Sequence, residues 1–139
     1  MQIRNLKDAL TEAKPNPAVK ISIAALTDDY NWRLYATELL PQAFVAAHVH
    51  SCGVEVYHII SGTGTMYTGE IIDKKTGEVR WNEQEQVVQS GDTFEIDPGT
   101  VHQLKNDGDR PLILMFGCDP NHLEFDKQIV SDHPKVRLA

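Results

Sequence analysis

The residues of this sequence best suited to chemistry are three histidines and one glutamate. His48 and His50 are separated by a single residue, Glu55 follows shortly after them, and His102 lies far along the chain. Alternate residues of a β-strand share a face, so both imidazoles of the His-x-His pair can reach one metal ion. Three imidazoles and one carboxylate suit divalent iron, manganese, nickel, zinc or copper and leave positions open for water or substrate. We therefore predict that these four residues bind one divalent transition metal ion.

Glu55 and Tyr57 are the candidate catalytic residues. Alternation along the strand predicted from Glu55 to Ile60 puts Glu55 and Tyr57 on one face and His58 on the other. The Glu55 carboxylate either binds the ion or transfers protons beside it. The Tyr57 hydroxyl can donate to a substrate, and a purely core role is the alternative. His58 is predicted not to bind the metal.

Two cysteines and two further histidines are not assigned to the site. Cys52 and Cys118 are interpreted as free thiols, because nothing in the sequence indicates an oxidising compartment or a disulfide scaffold. His122 and His133 lie beyond the last predicted strand of the β region and are predicted to be at the surface.

Length and charge limit the classes of partner. The 139 residues suffice for one domain with a real core and are too few for two. The net charge is −7 and no segment concentrates Lys and Arg, which argues against a nucleic acid or an anionic membrane as partner. The first ten residues lack the apolar core of a signal peptide. We expect a cytoplasmic protein with a small-molecule ligand or substrate.

The elements that must position the site residues are short strands. A capped amphipathic helix is predicted over 5–13, within an N-terminal helical arm of residues 1–18. Over residues 19–120 hydrophobic residues recur mostly at every second position, as in β-strands. Turns of Gly, Pro, Asn and Asp divide the segment into nine or ten strands, which predicts a β-sandwich or barrel. Residues 121–139 form a tail predicted to pack on the barrel or on a partner subunit.

One predicted strand carries the His-x-His pair. It covers residues 42–50, and its alternation directs Gln42, Phe44 and Ala46 to the same inward face as the two histidines. We expect these three residues to form part of a pocket wall.

The spacing of the site residues resembles two motifs of the cupin superfamily. The first motif, Gly-x5-His-x-His-x4-Glu-x6-Gly, is met by His48, His50, Glu55 and Gly62. The second, Gly-x5-Pro-x-Gly-x2-His-x3-Asn, is met by Gly91, Gly99, His102 and Asn106. Two positions depart from the motifs, since Gln42 replaces the leading Gly and Asp97 replaces the Pro, with Pro98 one residue later. Both are turn positions, so the departures concern local loop shape and not metal binding.

The resemblance implies an all-β fold, a cupin jelly-roll β-barrel, here with a short N-terminal helix, that holds the metal in its mouth and commonly assembles as a homodimer. Proteins of this superfamily include dioxygenases, sugar isomerases and epimerases, decarboxylases, and storage or sensing proteins. A shared fold does not choose among these functions.

Three function hypotheses follow. The first is a metal-dependent enzyme on a small polar substrate, of the dioxygenase or the sugar isomerase or epimerase type. The second is a cupin that binds or senses a sugar or another metabolite without turnover. The third, ranked last, is a metal ion that only stabilises the barrel.

Overall fold

The computed structural model describes residues 1–138. It contains two short helices, α1 and α2, and eleven strands, β1 to β11, within the described residues. In chain order the elements are α1 (Leu6–Ala13), β1 (Ile21–Ala25), β2 (Arg33–Leu39), β3 (His48–Val49), β4 (Glu55–Ser61), β5 (Thr63–Asp73), β6 (Glu78–Trp81), β7 (Gln86–Gln89), β8 (Thr93–Ile96), β9 (Val101–Lys105), β10 (Leu112–Cys118), α2 (Asn121–Glu124) and β11 (Gln128–Ile129).

The strands form two antiparallel sheets. One has the order β1-β2-β10-β4-β8, and the other has the order β11-β3-β9-β5-β6, with β7 also paired to β5. The main core contains inward-facing apolar side chains of both sheets, among them Leu39, Ile59 and Leu114 from the first sheet and Met66 and Leu104 from the second. This architecture confirms the prediction of an all-β jelly-roll barrel with a short N-terminal helix.

Local sequence signals account for the helix and for the hairpin of β5 and β6. The side chain of Asn5 accepts hydrogen bonds from the backbone of Lys7 and Asp8 at 3.0 and 3.2 Å, as an N-cap does, and α1 packs on β1 and β2. The predicted capped helix is confirmed. Strands β5 and β6 pair around a polar loop, and Gly77 takes the positive φ of 72° near its end.

The turn before β9 has the geometry that its sequence predicts. The backbone N–H of Thr100 donates to Asp97 O at 3.1 Å, and Gly99 has a φ of 83°, as in a type II turn. Gly99 also donates to His50 O at 2.8 Å. The turn therefore ties the segment before His102 to the His-x-His strand, despite the displaced proline.

The prediction for residues 42–50 is wrong in its first half. Only His48–Val49 is a strand, and Ala43 and Val45 face inward, whereas Gln42 and Ala46 are exposed. Phe44 is half-buried and faces an outer groove. Gln42 has a φ of 71° directly after Pro41, so the chain turns there and is irregular up to the histidines. A period of two does not hold across such a segment.

The tail continues the second sheet. Strand β11 pairs with β3, and Val130 and Val136 are buried. Residues 121–138 thus pack on the barrel of the same chain. Within residues 1–138 no helix has the length and apolar character needed to cross a membrane.

Replacing Gln42 by Gly should stabilise the protein. A left-handed conformation costs an L-residue about 1–2 kcal/mol, and the extra freedom of unfolded Gly offsets about 0.5–1 kcal/mol of the gain. Gln42 is exposed and its backbone N–H donates to Asn106 O, a contact that Gly keeps. We expect unfolding of Gln42→Gly to require about 0.5–1 kcal/mol more than wild type, as measured by urea denaturation.

The matched control is Gln86→Gly, which places the same change at an exposed position of β7 without a positive φ. This variant should be destabilised. A Gln42→Gly protein that is no more stable than wild type would contradict the assignment of strain to Gln42.

Candidate metal centre

Strands β3, β4 and β9 bring the four predicted metal-binding residues together. His48 of β3 is paired in register with His102 of β9, and their ring centroids lie 4.2 Å apart. His50 follows β3, and its ring centroid is 4.9 Å from that of His48. Glu55 begins β4 in the opposite sheet, and the ligand atoms of all four residues lie within 4.8 Å of one another. The result is a buried cluster of three histidines and one glutamate.

Backbone carbonyl groups fix the orientation of each imidazole. Nδ1 donates to a carbonyl oxygen in all three rings, at 2.8 Å from His48 to Ala46, 2.6 Å from His50 to Asp126 and 3.0 Å from His102 to Thr100. Because a carbonyl oxygen only accepts, the proton of each neutral ring is on Nδ1 and Nε2 carries the lone pair. A hydrogen bond from the ring nitrogen that does not bind the metal is the usual way in which proteins orient metal-binding histidines.

Two of the Nε2 atoms face the Glu55 carboxylate. Nε2 of His102 lies 3.2 Å and Nε2 of His50 lies 3.4 Å from Oε1 of Glu55. The His50 nitrogen is buried and has no well-directed hydrogen-bond partner in residues 1–138. Lone pairs and a carboxylate oxygen repel one another at these distances unless a proton or a cation lies between them. The donor set therefore fits a divalent transition metal ion.

Burial and mutual charge set the protonation states. Burial lowers the pKa of His48 to about 3, with a further contribution from His102, so this ring is neutral at pH 7. Burial alone raises the pKa of the Glu55 carboxyl, but the imidazoles of His102 and His50 outweigh it and hold the pKa well below its usual range. Burial lowers the pKa of His50, but Glu55 and Asp126 together outweigh burial and raise the pKa above its usual value. An ionised Glu55 and a neutral His48 are in the states that metal binding requires.

His122 is a site residue that the sequence did not reveal. It was predicted to be at the surface, but it is 1% exposed. Its Nδ1 lies 3.2 Å from Oε2 of Glu55, its Nε2 contacts Cys52 O, and its ring stacks on His50 at a centroid distance of 4.2 Å. The surface prediction is wrong because α2 folds back over the cluster. A four-residue helix such as α2 has no sequence signal that shows the direction in which its side chains pack.

Asp126 holds the same part of the tail against the turn after His50. Its carboxylate accepts hydrogen bonds from the backbone and hydroxyl of Ser51 and from the backbone of Cys52, at 2.8, 2.6 and 2.9 Å. Its carbonyl oxygen accepts from His50. These four contacts connect the tail to the ligand-bearing segment, so the tail is part of the site.

Tyr57 and Cys118 complete the surroundings of Glu55. The Tyr57 hydroxyl donates to Oε1 of Glu55 at 3.2 Å, and burial followed by the charge of Glu55 raises the pKa of Tyr57 well above its usual value. Burial, together with Glu55, also raises the pKa of the Cys118 thiol. Cys118 is buried and Cys52 is exposed, and both are free thiols, as predicted.

The remaining histidines lie away from the cluster. His58 is on the outer face of β4, outside the cluster, with Nδ1 2.6 Å from Thr93 Oγ1. His133 is half-buried and stacks on Tyr67 at a centroid distance of 4.1 Å, so its prediction as a surface residue is only partly right.

A small cavity adjoins the cluster of three histidines and Glu55. Its volume is about 90 Å³, below the roughly 300–1,000 Å³ of ordinary ligand pockets. His48, Glu55 and His102 are among its lining residues. The other lining residues are mainly apolar: Ile21, Ile23, Thr37, Leu39, Val45, Tyr57, Leu104, Leu114, Phe116, Leu123 and Lys127.

Comparisons with known proteins agree with this architecture. A family model described as "Cupin domain" matches residues 36–118, which include all four predicted ligands. A search of curated proteins finds no match.

Three solved structures illustrate the likeness. A protein with a double-stranded β-helix domain from Klebsiella pneumoniae is 18% identical, with 95% of this chain and 99% of that chain covered and a TM-score of 0.72. TT1209 from Thermus thermophilus is 22% identical, with 86% and 98% covered and a TM-score of 0.66. An oxalate oxidase is 16% identical, with 84% and 60% covered and a TM-score of 0.60. At these identities the likeness shows the fold alone.

Replacing His122 by Phe should weaken metal binding without removing a predicted ligand. Phe keeps the ring that stacks on His50 but loses the contacts with Glu55 and Cys52. Loss of a residue that orients a ligand typically costs about 10–100-fold in metal affinity. We expect a loss of this size for zinc, measured by competition with a chromophoric chelator.

His58→Phe is the matched control, since it removes a histidine on the outer face of β4. Its zinc affinity should equal that of wild type. Unchanged affinity in His122→Phe would show that His122 has no part in orienting Glu55.

Proposed function

Because this chain belongs to the cupin domain family, we propose that it is a metal-dependent enzyme whose ion is bound by His48, His50, Glu55 and His102. One observation carries the proposal: three tethered imidazoles and a buried carboxylate place their ligand atoms within 4.8 Å of one another beside a cavity. When bound, a divalent transition metal supplies Lewis-acid or one-electron chemistry to substrate oxygen atoms.

The character of the cavity favours the dioxygenase type over the sugar isomerase type. A sugar carries several hydroxyl groups, and each loses free energy when it is buried without a hydrogen-bond partner. Beyond the cluster residues, the polar groups of the cavity lining come from Thr37, Tyr57 and Lys127. The lining therefore suits a small molecule with few polar groups. In one protein of the same fold the named activity is that of an oxalate oxidase, which is consistent with oxidative chemistry in such a barrel.

Glu55 and Tyr57 are the proposed catalytic residues. Tyr57 lines the cavity, and its hydroxyl donates to Glu55. The raised pKa of Tyr57 keeps its hydroxyl protonated, so on substrate binding it can turn its hydrogen bond from Glu55 to a substrate oxygen that acquires negative charge. If Glu55 accepts a proton during the reaction, His122 holds its carboxylate in position.

The first test is the metal content of untagged protein purified without added metal. We expect near one iron, manganese, nickel, zinc or copper ion per chain by elemental mass spectrometry, and none in the double variant His48→Ala/His50→Ala. The double variant loses two of the four predicted metal ligands, so too few donor groups remain to hold the ion. Iron- or manganese-loaded protein should consume dioxygen with a panel of small oxygenated molecules.

His58→Ala with His133→Ala serves as the control, because both residues lie outside the cluster. It should retain the ion. Wild-type protein that folds but holds no ion under any loading condition would reject the enzyme proposal.

Replacing Tyr57 by Phe tests its catalytic role. The change removes only a hydroxyl, and the Tyr57 ring stacks on Phe94 and Phe116, contacts that Phe keeps. We expect the metal content to remain as in wild type and kcat to fall about 10- to 1,000-fold, the range for loss of an acid or an anion-stabilising donor. The measurement is steady-state turnover at matched metal loading.

Tyr35→Phe is the control, because Tyr35 also stacks on Phe116 but does not line the cavity. Its kcat should stay near that of wild type. An unchanged kcat in Tyr57→Phe would leave Tyr57 with a packing role only.

A second candidate function is binding of a metabolite without turnover. It is favoured by the scarcity of free acid or base groups in the cavity, since the Tyr57 hydroxyl already donates to Glu55 and Thr37 does not titrate. In that case metal-loaded protein binds a small molecule but leaves it unchanged on prolonged incubation with dioxygen.

A further inference from the structure

Thr37 is a polar residue in an apolar wall of the cavity. It lies in β2 between Ile23 of β1 and Leu114 of β10, and it is 4% exposed. Its hydroxyl oxygen is buried and has no hydrogen-bond partner in residues 1–138. A buried hydroxyl without a partner costs about 1–3 kcal/mol, so this group is expected to receive a partner from a ligand in the cavity.

Lys127 is the cationic group of the same cavity. It follows Asp126 in the tail, is exposed, and forms no ion pair with a residue of the described chain. It is the only Lys or Arg in the lining, and Glu55, which accepts a hydrogen bond from Tyr57, is the only carboxylate. The lining therefore combines residues of the histidine and glutamate cluster, an exposed lysine without an ion pair in the described chain, and aliphatic side chains.

We propose that the ligand of this cavity is a short-chain organic acid. One oxygenated end faces the metal cluster, an aliphatic middle packs on the apolar wall, Thr37 donates a hydrogen bond to a ligand oxygen, and a carboxylate at the other end pairs with Lys127. This inference rests on the proposed function, because it takes the metal cluster as the anchor for the first end.

The chemistry of the lining supports a short-chain organic acid over a hydrocarbon, a sugar or a phosphorylated ligand. A hydrocarbon would leave both Thr37 and Lys127 without partners, and a sugar would bury hydroxyl groups against Ile21, Leu39 and Leu114. A phosphorylated ligand is commonly held by arginine forks, and the lining contains no arginine. A short acid with one distal carboxylate supplies a partner to both Thr37 and Lys127.

The test compares dicarboxylates with their monoamides on zinc-loaded full-length protein. Zinc does not undergo redox chemistry, so binding is measured by isothermal titration without turnover. The probes are succinate, glutarate and adipate, and each is paired with its monoamide, which keeps the size and removes the distal charge. In wild type, at least one diacid should bind about three- to tenfold more tightly than its monoamide, as an ion pair at a partly exposed site provides.

Lys127→Met should abolish this preference for the diacid. Lys75→Met, at an exposed position in the loop between β5 and β6, should retain it. Lys127 also borders an outer hollow that contains Glu70 and Lys74. An unchanged preference in Lys127→Met would mean that the ammonium group faces this hollow, and it would overturn the proposal.

Thr37→Val should have two opposite effects. It should weaken binding of the diacid about three- to tenfold, through loss of one hydrogen bond, and it should raise the melting temperature of the ligand-free protein, because an unsatisfied hydroxyl is replaced by a methyl group. A lower melting temperature with unchanged binding would give the hydroxyl a structural role and reject its part in the proposal.

The zinc content of every sample distinguishes failure of the ligand assignment from failure of the proposed function. Protein that holds zinc but shows no preference for any diacid over its monoamide overturns the ligand assignment and leaves the metal site standing. Protein that holds no zinc or other ion overturns the proposed function, and the ligand assignment fails with it.

Discussion

The interaction on which the rest of this structure depends is the burial of the Glu55 carboxylate among imidazoles. The carboxylate is 2% exposed, and an ionised group in such a place must be matched by donors or by a cation. Tyr57 and His122 each supply one contact, while His50 and His102 direct Nε2 at the same oxygen. A cluster with this many lone pairs costs free energy without a cation. The barrel therefore holds together a site whose own electrostatics favour a bound ion.

The tail contacts the cluster and also lines the cavity beside it. His122 and Asp126 close the side behind Glu55 and His50 through hydrogen bonds to the turn at Ser51 and Cys52. Leu123 and Lys127 of the same segment reach the cavity on the other side. One stretch of chain thus orients the metal-binding side chains and also contributes to the cavity lining. A change in this stretch is expected to affect both the affinity for the metal and the choice of the small molecule that the cavity binds.

The sequence predicted the parts of the site that follow from strand geometry. His48 and His50 share a face because they are two residues apart, and the motif spacing placed Glu55 and His102 beside them. The prediction failed where the backbone leaves the period of two, since Gln42 adopts a positive φ and reverses the inward and outward positions before His48. His122 was missed for a different reason. Its position depends on how the tail folds over the barrel, and a tertiary contact of a four-residue helix has no periodic signature.

The cavity beside the cluster also bears on whether a bound ion is structural or acts on a substrate. A structural metal site is closed, with four protein ligands and no route for a substrate. Here His48, Glu55 and His102 border a cavity, and its wall holds a threonine hydroxyl without a partner. A wall built only for stability would have an apolar residue at Thr37, because valine has nearly the same shape and avoids the cost of the buried hydroxyl. The free energy cost of the buried Thr37 hydroxyl is kept in a wall that lies beside the predicted metal ligands. This is consistent with a site arranged for a small molecule rather than for the stability of the barrel alone.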